Sequence, residues 1–472
     1  MIERLRVVGA GLAGCEAAWQ AAERGLEVEL WEMRPDVRGP AHRTDGPAEL
    51  VCSNSLRGAA LENAVGLLKE ELARMNSLIV SSARATAVPA GGALAVDRER
   101  FSKLVERRLT GHPRVRFVRG EVRAVDPDVP TIVACGPLPS EPLLRAIDGL
   151  LGNRARLHYY DAASPIVATE SLDLSQMYEK SRYDKGEGAD YLNLPLDPEQ
   201  YATLVRDLRE LPKHELKEFE SDAAGGKVPY FEGCLPIEEM AARGDDVLRY
   251  GPLKPVGLRD PRTGAAPFAV VQLRKENVAA TAYNLVGFQT RLTWPAQKEA
   301  FGKLPGLANA EWVRLGVMHR NSFVDAPRCL LPDLRLRGSA HTWLAGQITG
   351  AEGYVEAAAC GLIAALSAAR VLRGLEPVPV PEDTALGAVV AHLQNRQTGD
   401  FQPANVSWTF FSPLPGMPVR DKRERRRKLA ERALAKIESW KAALETGFAP
   451  DRQVAGAAAG ALASEGFDLR FR

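Results

Sequence analysis

Three glycines near the N-terminus, Gly9, Gly11 and Gly14, stand at the G-x-G-x-x-G spacing in the run GAGLAG. That spacing suits a dinucleotide. The first glycine permits a tight turn out of a strand, the second lets backbone amides approach a pyrophosphate, and the third lets the following helix pack closely on the sheet. Ala10, Leu12 and Ala13 complete the turn, and the phosphates would lie on the positive end of the helix. A glycine-rich turn alone is often only a turn. Here an apolar run, Leu5 to Val8, precedes it, and a small-residue helix from Ala13 to Ala22 follows. A second strand at Glu27 to Trp31 then leads into Glu32, an acidic residue where ribose hydroxyls are bound. A carboxylate at that place disfavours a 2'-phosphate.

The run TWLAGQITGAEGYVEAAACG repeats the logic of strand, glycine turn and small-residue helix far downstream. In two-dinucleotide flavoproteins such a segment brings a helix N-terminus toward the flavin, where its dipole stabilises the reduced, anionic ring. Gly346, Gln347, Gly350, Gly353 and Tyr354 are the residues expected there, and the pair of segments favours FAD over NAD. The bland alternative is a helix packed through Ala and Gly.

These motifs need elements to position them. Strand, glycine turn, helix and strand in about thirty residues is a right-handed βαβ unit. The segment Pro35 to Arg57 is polar and irregular, and long loops of this kind are usually functional. Further on, the pattern predicts a helix from Ala64 to Met75 and another over Arg98 to Leu109 capped by Asp97. Strands are predicted at Val115 to Val118, Glu121 to Val125 and Thr131 to Ala134. From about Ile166 to Val317 the texture changes to short strand-like runs among Pro, Gly and aromatics, such as Ala269 to Leu273 and Ala282 to Val286. An apolar strand near Trp343 and a helix from Tyr354 to Leu372 then close the first fold. The expected class is α/β, a Rossmann-like two-dinucleotide FAD-binding fold with a large inserted α+β domain. Its expected divisions are 1–165 and 320–448 for the FAD-binding domain, 166–319 for the insertion, and 449–472 as a mobile tail.

The 472 residues exceed one ordinary core. With 61 Lys plus Arg against 60 Asp plus Glu, there is no global pull toward nucleic acid or anionic lipid, so a polyanion site would be local. The basic stretch RDKRERRRK at Arg420 to Lys428 is one such patch, and most often such a run is a solvated helix face. The six cysteines show no CxxC and no zinc-ligand spacing, which predicts reduced thiols and a cytoplasmic protein with no membrane span. A plain NAD(P)H-dependent flavin oxidoreductase acting on disulfides or quinones is an alternative, and the absence of a closely spaced cysteine pair disfavours its disulfide form.

Longer blocks carry more. GAGLAGCEAAWQ, PAELVCSNSLRG, PAGGALAVDR, SRYDKGEGADYLN, YFEGCLPIEEMA, GPLKPVGL, VVQLR, GVMHRNSF and LAGQITGAEGYVEAA follow one another from Val7 to about Pro403. In this order they resemble the folate- and FAD-dependent tRNA (uracil-5-)-methyltransferases, the TrmFO family. Two departures are local: FQTRL with Arg291 where that family reads FQTHL, and CGPLPS at Cys135 to Ser140 where it reads TGPLTS. The related flavoproteins that modify the tRNA wobble uridine do not carry the ELVCSNSL and FEGCLPIE blocks.

The resemblance implies an enzyme that makes 5-methyluridine at position 54 in the tRNA T-loop. The carbon would come from 5,10-methylenetetrahydrofolate, and the electrons from NADH or NADPH through FAD. Uracil C5 is a poor nucleophile until a thiolate adds at C6, and an acid/base must later remove the C5 proton. The family blocks hold two thiols, Cys52 and Cys234. The resemblance favours Cys234, between Gly233 and Pro236, as nucleophile and Cys52 as the acid/base partner, with the exchange of roles open. Cys15, Cys135, Cys329 and Cys360 lie in apolar or small-residue contexts that predict core positions. Val122 joins the expected cofactor contacts. Arg182, Lys185, Lys254, Arg259, Arg274, Lys275, His319 and Arg320 fall in or near the blocks as candidates for phosphates or the folate glutamate, and His42 for the flavin loop.

Overall fold

A computed structural model of the chain describes residues 4–152, 156–186, 189–214, 230, 235–395, 401–416 and 419–446. The chain begins with strand β1 (Arg4–Val8), helix α1 (Leu12–Glu23) and strand β2 (Glu27–Glu32). Three further helices lie between β2 and β3 (Val115–Arg119), among them α2 (Ala64–Arg74) and α3 (Arg98–Thr110), and β3 is followed by β4 (Thr131–Val133). Asp97 caps α3 by accepting the Arg100 amide at 3.1 Å, which satisfies one of the orphan donors of its first turn.

These strands and Thr342–Leu344 form one five-stranded parallel sheet in the order 342–344, β4, β1, β2, β3. The glycine turn leaves β1 where its neighbours lie on either side of it, β2 and β4. That is the crevice at the carboxyl ends of strands in which open α/β sheets bind ligands.

A second sheet is antiparallel throughout and has six strands. They are β5 (Ile166–Ala168), β6 (Tyr178–Glu179), β7 (Tyr191–Leu196), β8 (Ala269–Lys275), β9 (Ala282–Leu285) and β10 (Trp312–Arg314). Their order is β6-β7-β8-β9-β5-β10. This sheet has its own apolar core, in which Leu194, Val271, Leu273 and Leu285 meet Leu204, Leu208 and Phe301 from the helices packed on it. The parallel sheet packs into a separate, larger core. A pair of antiparallel strands, Arg156–Ala162 and Met318–Val324, carries the chain into and out of the second sheet.

The chain returns to the first core through strand β11 (Thr342–Leu344) and helix α4 (Tyr354–Val371), and a long helix, α5 (Lys422–Glu445), follows. Helix α4 is long and apolar enough to cross a membrane by composition, yet 89% of it is buried inside the protein against α1 and its neighbours. The basic stretch forms the start of α5, where Arg423 pairs with Glu62 and Lys428 with Glu424. The tail beyond residue 446 lies outside the described residues.

One sequence expectation fails. Glu121 to Val125 is not a strand: Gly120, at φ 154, turns the chain off the line of β3, and the residues after it find no ladder partner. Val122 is half-buried against the first core.

Candidate active site

The glycine turn is shaped by the absence of side chains. Gly9 has φ 100 and donates its amide to the Trp31 carbonyl at 2.8 Å; a Cβ there would lie 2.6 Å from the Ala134 carbonyl oxygen. A Cβ on Gly14 would lie 1.8 Å from the Gly9 carbonyl oxygen, whereas one on Gly11 would meet nothing within 4 Å. Two glycines thus close the turn and the third opens it. Ala10, Leu12 and Ala13 are buried beneath it. The Glu32 carboxylate accepts the Ala10 amide at 3.0 Å through Oε2, and the Arg34 amide (3.1 Å) and Nε (2.8 Å) through Oε1. Arg34 is buried and reaches on to Glu49 at 2.9 Å. Burial works to raise the Glu32 carboxyl, but the Arg34 guanidinium and the two amides outweigh it and hold the group below the usual carboxylate range. Oε2 keeps a lone pair for a further donor such as a ribose hydroxyl.

The second glycine segment meets the first at Ala13. A Cβ on Gly346 would lie 2.9 Å from the Ala13 Cβ, and one on Gly361, inside α4, 2.1 Å from the Ala13 carbonyl oxygen. Gly346, Gly350 and Gly353 have φ of 84, 89 and 112, so each holds a backbone conformation that side chains resist. Gln347 donates to Glu352 at 2.8 Å. In the first turn of α4, Glu356 forms an ion pair with Arg57 and accepts the Val406 amide at 2.9 Å, which fixes the helix start.

Tyr354, the first residue of α4, faces Cys52. Its hydroxyl oxygen accepts the amides of Cys52 (2.9 Å) and Ser53 (3.2 Å) and lies 3.0 Å from the Cys52 Sγ. With both lone pairs engaged by amides, the phenol is left to donate its proton to the sulfur. Burial, and then the neighbouring Cys52, push the Tyr354 hydroxyl well above its ordinary value, so it stays a donor.

The second sheet supplies the other wall of this loop. Arg274, on β8, donates through Nε to Asn54 at 2.8 Å and through Nη2 to Ser53 at 2.7 Å, and Asn54 donates to the Lys275 carbonyl at 2.8 Å. Arg98, at the start of α3, contacts the Leu50 carbonyl and pairs with Glu276 at 2.5 Å. Arg314 stands within electrostatic reach of Cys52, and burial, then Arg98, lower its affinity for the proton. Burial and the nearby Arg314, Arg43 and His42 push His319 down to about 4, so it is neutral at physiological pH. Arg98 and Arg314 thus place positive charge within electrostatic reach of the Cys52 sulfur, with Glu276 paired to Arg98.

Cys234 lies outside the described residues. Cys15, Cys329 and Cys360 are buried and Cys135 is half-buried, and burial pushes the Cys360 thiol up to about 11. Arg291 is tied to Glu239 at 2.8 Å. The bracing roles of Arg34 and Arg98 carry no sequence signal, and Arg274, a candidate for phosphate or folate, instead braces Ser53 and Asn54. Arg98 and Arg274 meet partners far away in sequence, and Arg34 lies two residues from Glu32 on irregular backbone, so no local spacing signals them.

A family model described as glucose inhibited division protein A matches residues 4–376. A relative from Pelobacter propionicus, named methylenetetrahydrofolate–tRNA-(uracil-5-)-methyltransferase TrmFO, is 54% identical over 454 residues, covering 96% of this chain and 97% of its own. One of the same name from Geobacter sulfurreducens is 53% identical, covering 93% of this chain and 99% of its own. This chain belongs to the TrmFO family. The solved structure of Aquifex aeolicus GidA in its form II crystal superposes with a TM-score of 0.65 at 15% identity, over 93% of this chain and 73% of that one. It shares the fold with this TrmFO family member: a Rossmann-like FAD-binding α/β fold with an additional antiparallel domain.

Proposed function

We propose that the chain forms 5-methyluridine at position 54 in the tRNA T-loop, taking carbon from 5,10-methylenetetrahydrofolate. FAD reduced by NADH or NADPH provides the electrons. The observation that carries this reading is the meeting of three distant segments at one thiol: the Cys52 loop, Tyr354 at the start of α4, and Arg274 of the second sheet. Family membership supports the folate and tRNA substrates.

Bound FAD supplies the electron pair that a folate methylene needs to become a methyl group. The residues that would hold it are Gly9 to Gly14 at the pyrophosphate, Glu32 at the ribose, and the start of α4 with Gly346, Gln347, Gly350, Gly353 and Tyr354 near the ring. Val122 belongs to the same expected set. Cys234 adds as thiolate to uracil C6, which makes C5 nucleophilic toward the methylene carbon. Cys52 takes the proton that C5 then loses as the bond between the methylene carbon and the folate nitrogen breaks and tetrahydrofolate departs. Addition of a hydride equivalent to the resulting exocyclic methylene makes the methyl group, and expulsion of the Cys234 thiolate restores the ring's double bond. Tyr354 orients the Cys52 sulfur and stabilises its charge by donating to it. The two separately packed cores support reading 166–319 as a domain inserted between 1–165 and 320–448.

The test incubates the purified holoenzyme with unmodified tRNA, NAD(P)H and labelled methylenetetrahydrofolate, followed by nucleoside analysis. Label in 5-methyluridine is expected. Label arriving from S-adenosylmethionine instead would overturn the reading.

A further inference from the structure

The turn from Ser181 to Gly186 holds two successive side chains in the left-handed region, Tyr183 at φ 57 and Asp184 at φ 53. Such strain persists only where the surroundings impose it, and it gathers at functional positions. Here the Tyr183 amide donates to the Gly257 carbonyl at 3.3 Å, Asp184 pairs with Lys180 at 2.6 Å, and Arg182 anchors the start of the turn. Its guanidinium contacts the Val256 carbonyl and donates to the Lys254 carbonyl at 2.9 Å and to Gln272 at 3.0 Å. All three acceptors are neutral, so the positive charge is held in place without being cancelled.

The strain does not bury the Tyr183 ring, which stays 56% exposed. Gly257 lies against it, and a Cβ there would sit 2.8 Å from both Cδ1 and Cε1. Part of the ring therefore rests on glycine backbone while more than half of its surface is open. Exposed Lys185 follows in the same turn, and Val256 beside it is 53% exposed.

The turn meets the segment at Ala90 and Gly91, whose neighbour Gly92 accepts the Ala59 amide just past the thiol loop. A Cβ on Gly186 would lie 2.8 Å from the Gly91 Cα, and Tyr191 donates its hydroxyl to the Ala90 carbonyl at 3.0 Å. Tyr191 on β7 pairs in register with Arg274 on β8, which holds Ser53 and Asn54 beside Cys52.

We propose that Tyr183 is a base-stacking residue for the RNA substrate. Its open surface packs on an unstacked base of the tRNA loop near the target uridine, while Arg182 and Lys185 face the adjoining phosphates. An open aromatic ring beside uncancelled cations suits the bases and backbone of a looped RNA. A folate ring would instead call for an enclosed slot. The inference rests on the tRNA methyltransferase reading.

The test compares the wild-type holoenzyme with Tyr183→Phe, Tyr183→Leu and Tyr183→Asn in tRNA affinity, in KM and kcat for tRNA, in KM for folate, and in Tm. Tyr183→Phe keeps the ring and should bind as wild type. The Leu and Asn variants should weaken tRNA binding by about tenfold and raise KM for tRNA, with folate KM and flavin reduction by NAD(P)H unchanged. Asn tolerates the left-handed conformation, so its Tm should equal or exceed that of wild type, which a merely structural tyrosine would not allow. Unaltered tRNA binding in the Leu and Asn variants overturns the inference, as does a change confined to folate KM. Failure of the wild type itself to bind tRNA would remove the methyltransferase reading and this inference with it.

Discussion

In the glycine cradle, a Cβ on Gly14 would lie 1.8 Å from the Gly9 carbonyl oxygen. Around Cys52 the decisive contacts are instead hydrogen bonds to Tyr354, 302 positions away, and between Arg274 and Ser53, 221 apart. The cradle works because side chains are missing within a few residues of sequence. The thiol loop works because side chains arrive from two other segments. Damage to the first should therefore be a packing failure, whereas damage to the second should be chemical and leave the fold intact.

The largest effect is expected in the cradle. Gly14→Val forces a side chain into the carbonyl of Gly9, with no flexible neighbour to give way, and should cost about 4 kcal/mol or more. The protein should be recovered, if at all, without yellow colour and with a sharply lowered Tm. Gly11→Val separates fold from cofactor. Its Cβ meets nothing within 4 Å, so the apoprotein should keep its Tm while flavin absorbance is lost. Full flavin occupancy in Gly11→Val would move the pyrophosphate elsewhere.

At the thiols, the expected losses are of turnover. With 5-fluorouridine at the target position, fluorine cannot leave C5 as a proton does, so an adduct accumulates. Cys234→Ala should abolish both turnover and the trapped complex, whereas Cys52→Ala should abolish turnover and still trap some RNA on a denaturing gel. The opposite pattern would exchange the two roles, and full activity in both variants would remove thiol chemistry.

Tyr354→Phe sharpens the comparison, since it removes one oxygen and leaves the cradle alone. The Cys52 sulfur loses its donor, and the Cys52 and Ser53 amides lose their acceptor. An unsatisfied buried amide costs about 1–3 kcal/mol, so a modest Tm decrease is expected with flavin retained. Removing a proton donor from a reacting thiol should cut kcat by roughly 10- to 100-fold, at or below the lower end of the general acid–base range. The pH at which Cys52 becomes reactive toward iodoacetamide should move upward. An unchanged alkylation profile would mean that the phenol does not tune the sulfur.

The same contrast explains what the sequence could reveal. The unit β1, α1 and β2, the Asp97 cap and the start of α4 at Tyr354 each depend on neighbours within a turn or two, so local pattern sufficed. Glu121 to Val125 has the alternation of a strand, but a strand exists only where a partner ladder does, and Gly120 steers it away. Glu32 was legible as an acidic residue after β2; its clamp by Arg34 was not, because two residues apart on irregular backbone imply no fixed geometry. Cys52 was legible only as part of a long block. Its bond to Tyr354 depends on how two cores and a long loop come together, which no spacing records.

The smallest expected effect concerns His319, which feels the charge of Arg314 as Cys52 does. Burial and the nearby Arg314, Arg43 and His42 push its pKa down to about 4, against an unfolded value of about 6.5. Between those values the unfolded chain binds a proton that the folded chain refuses. Stability must then rise with pH across the window: this contribution is complete above about 6.5 and falls away as the pH drops toward 4. One proton limits the slope to about 1.4 kcal/mol per pH unit. His319→Gln carries no such proton, so the variant's Tm should decline less steeply than that of wild type on acidification from 6.5 to 4, with the two curves parallel above pH 7. Parallel curves throughout would show that His319 titrates as an ordinary exposed histidine, and the charge that Arg314 places near Cys52 would then count for less than its position suggests.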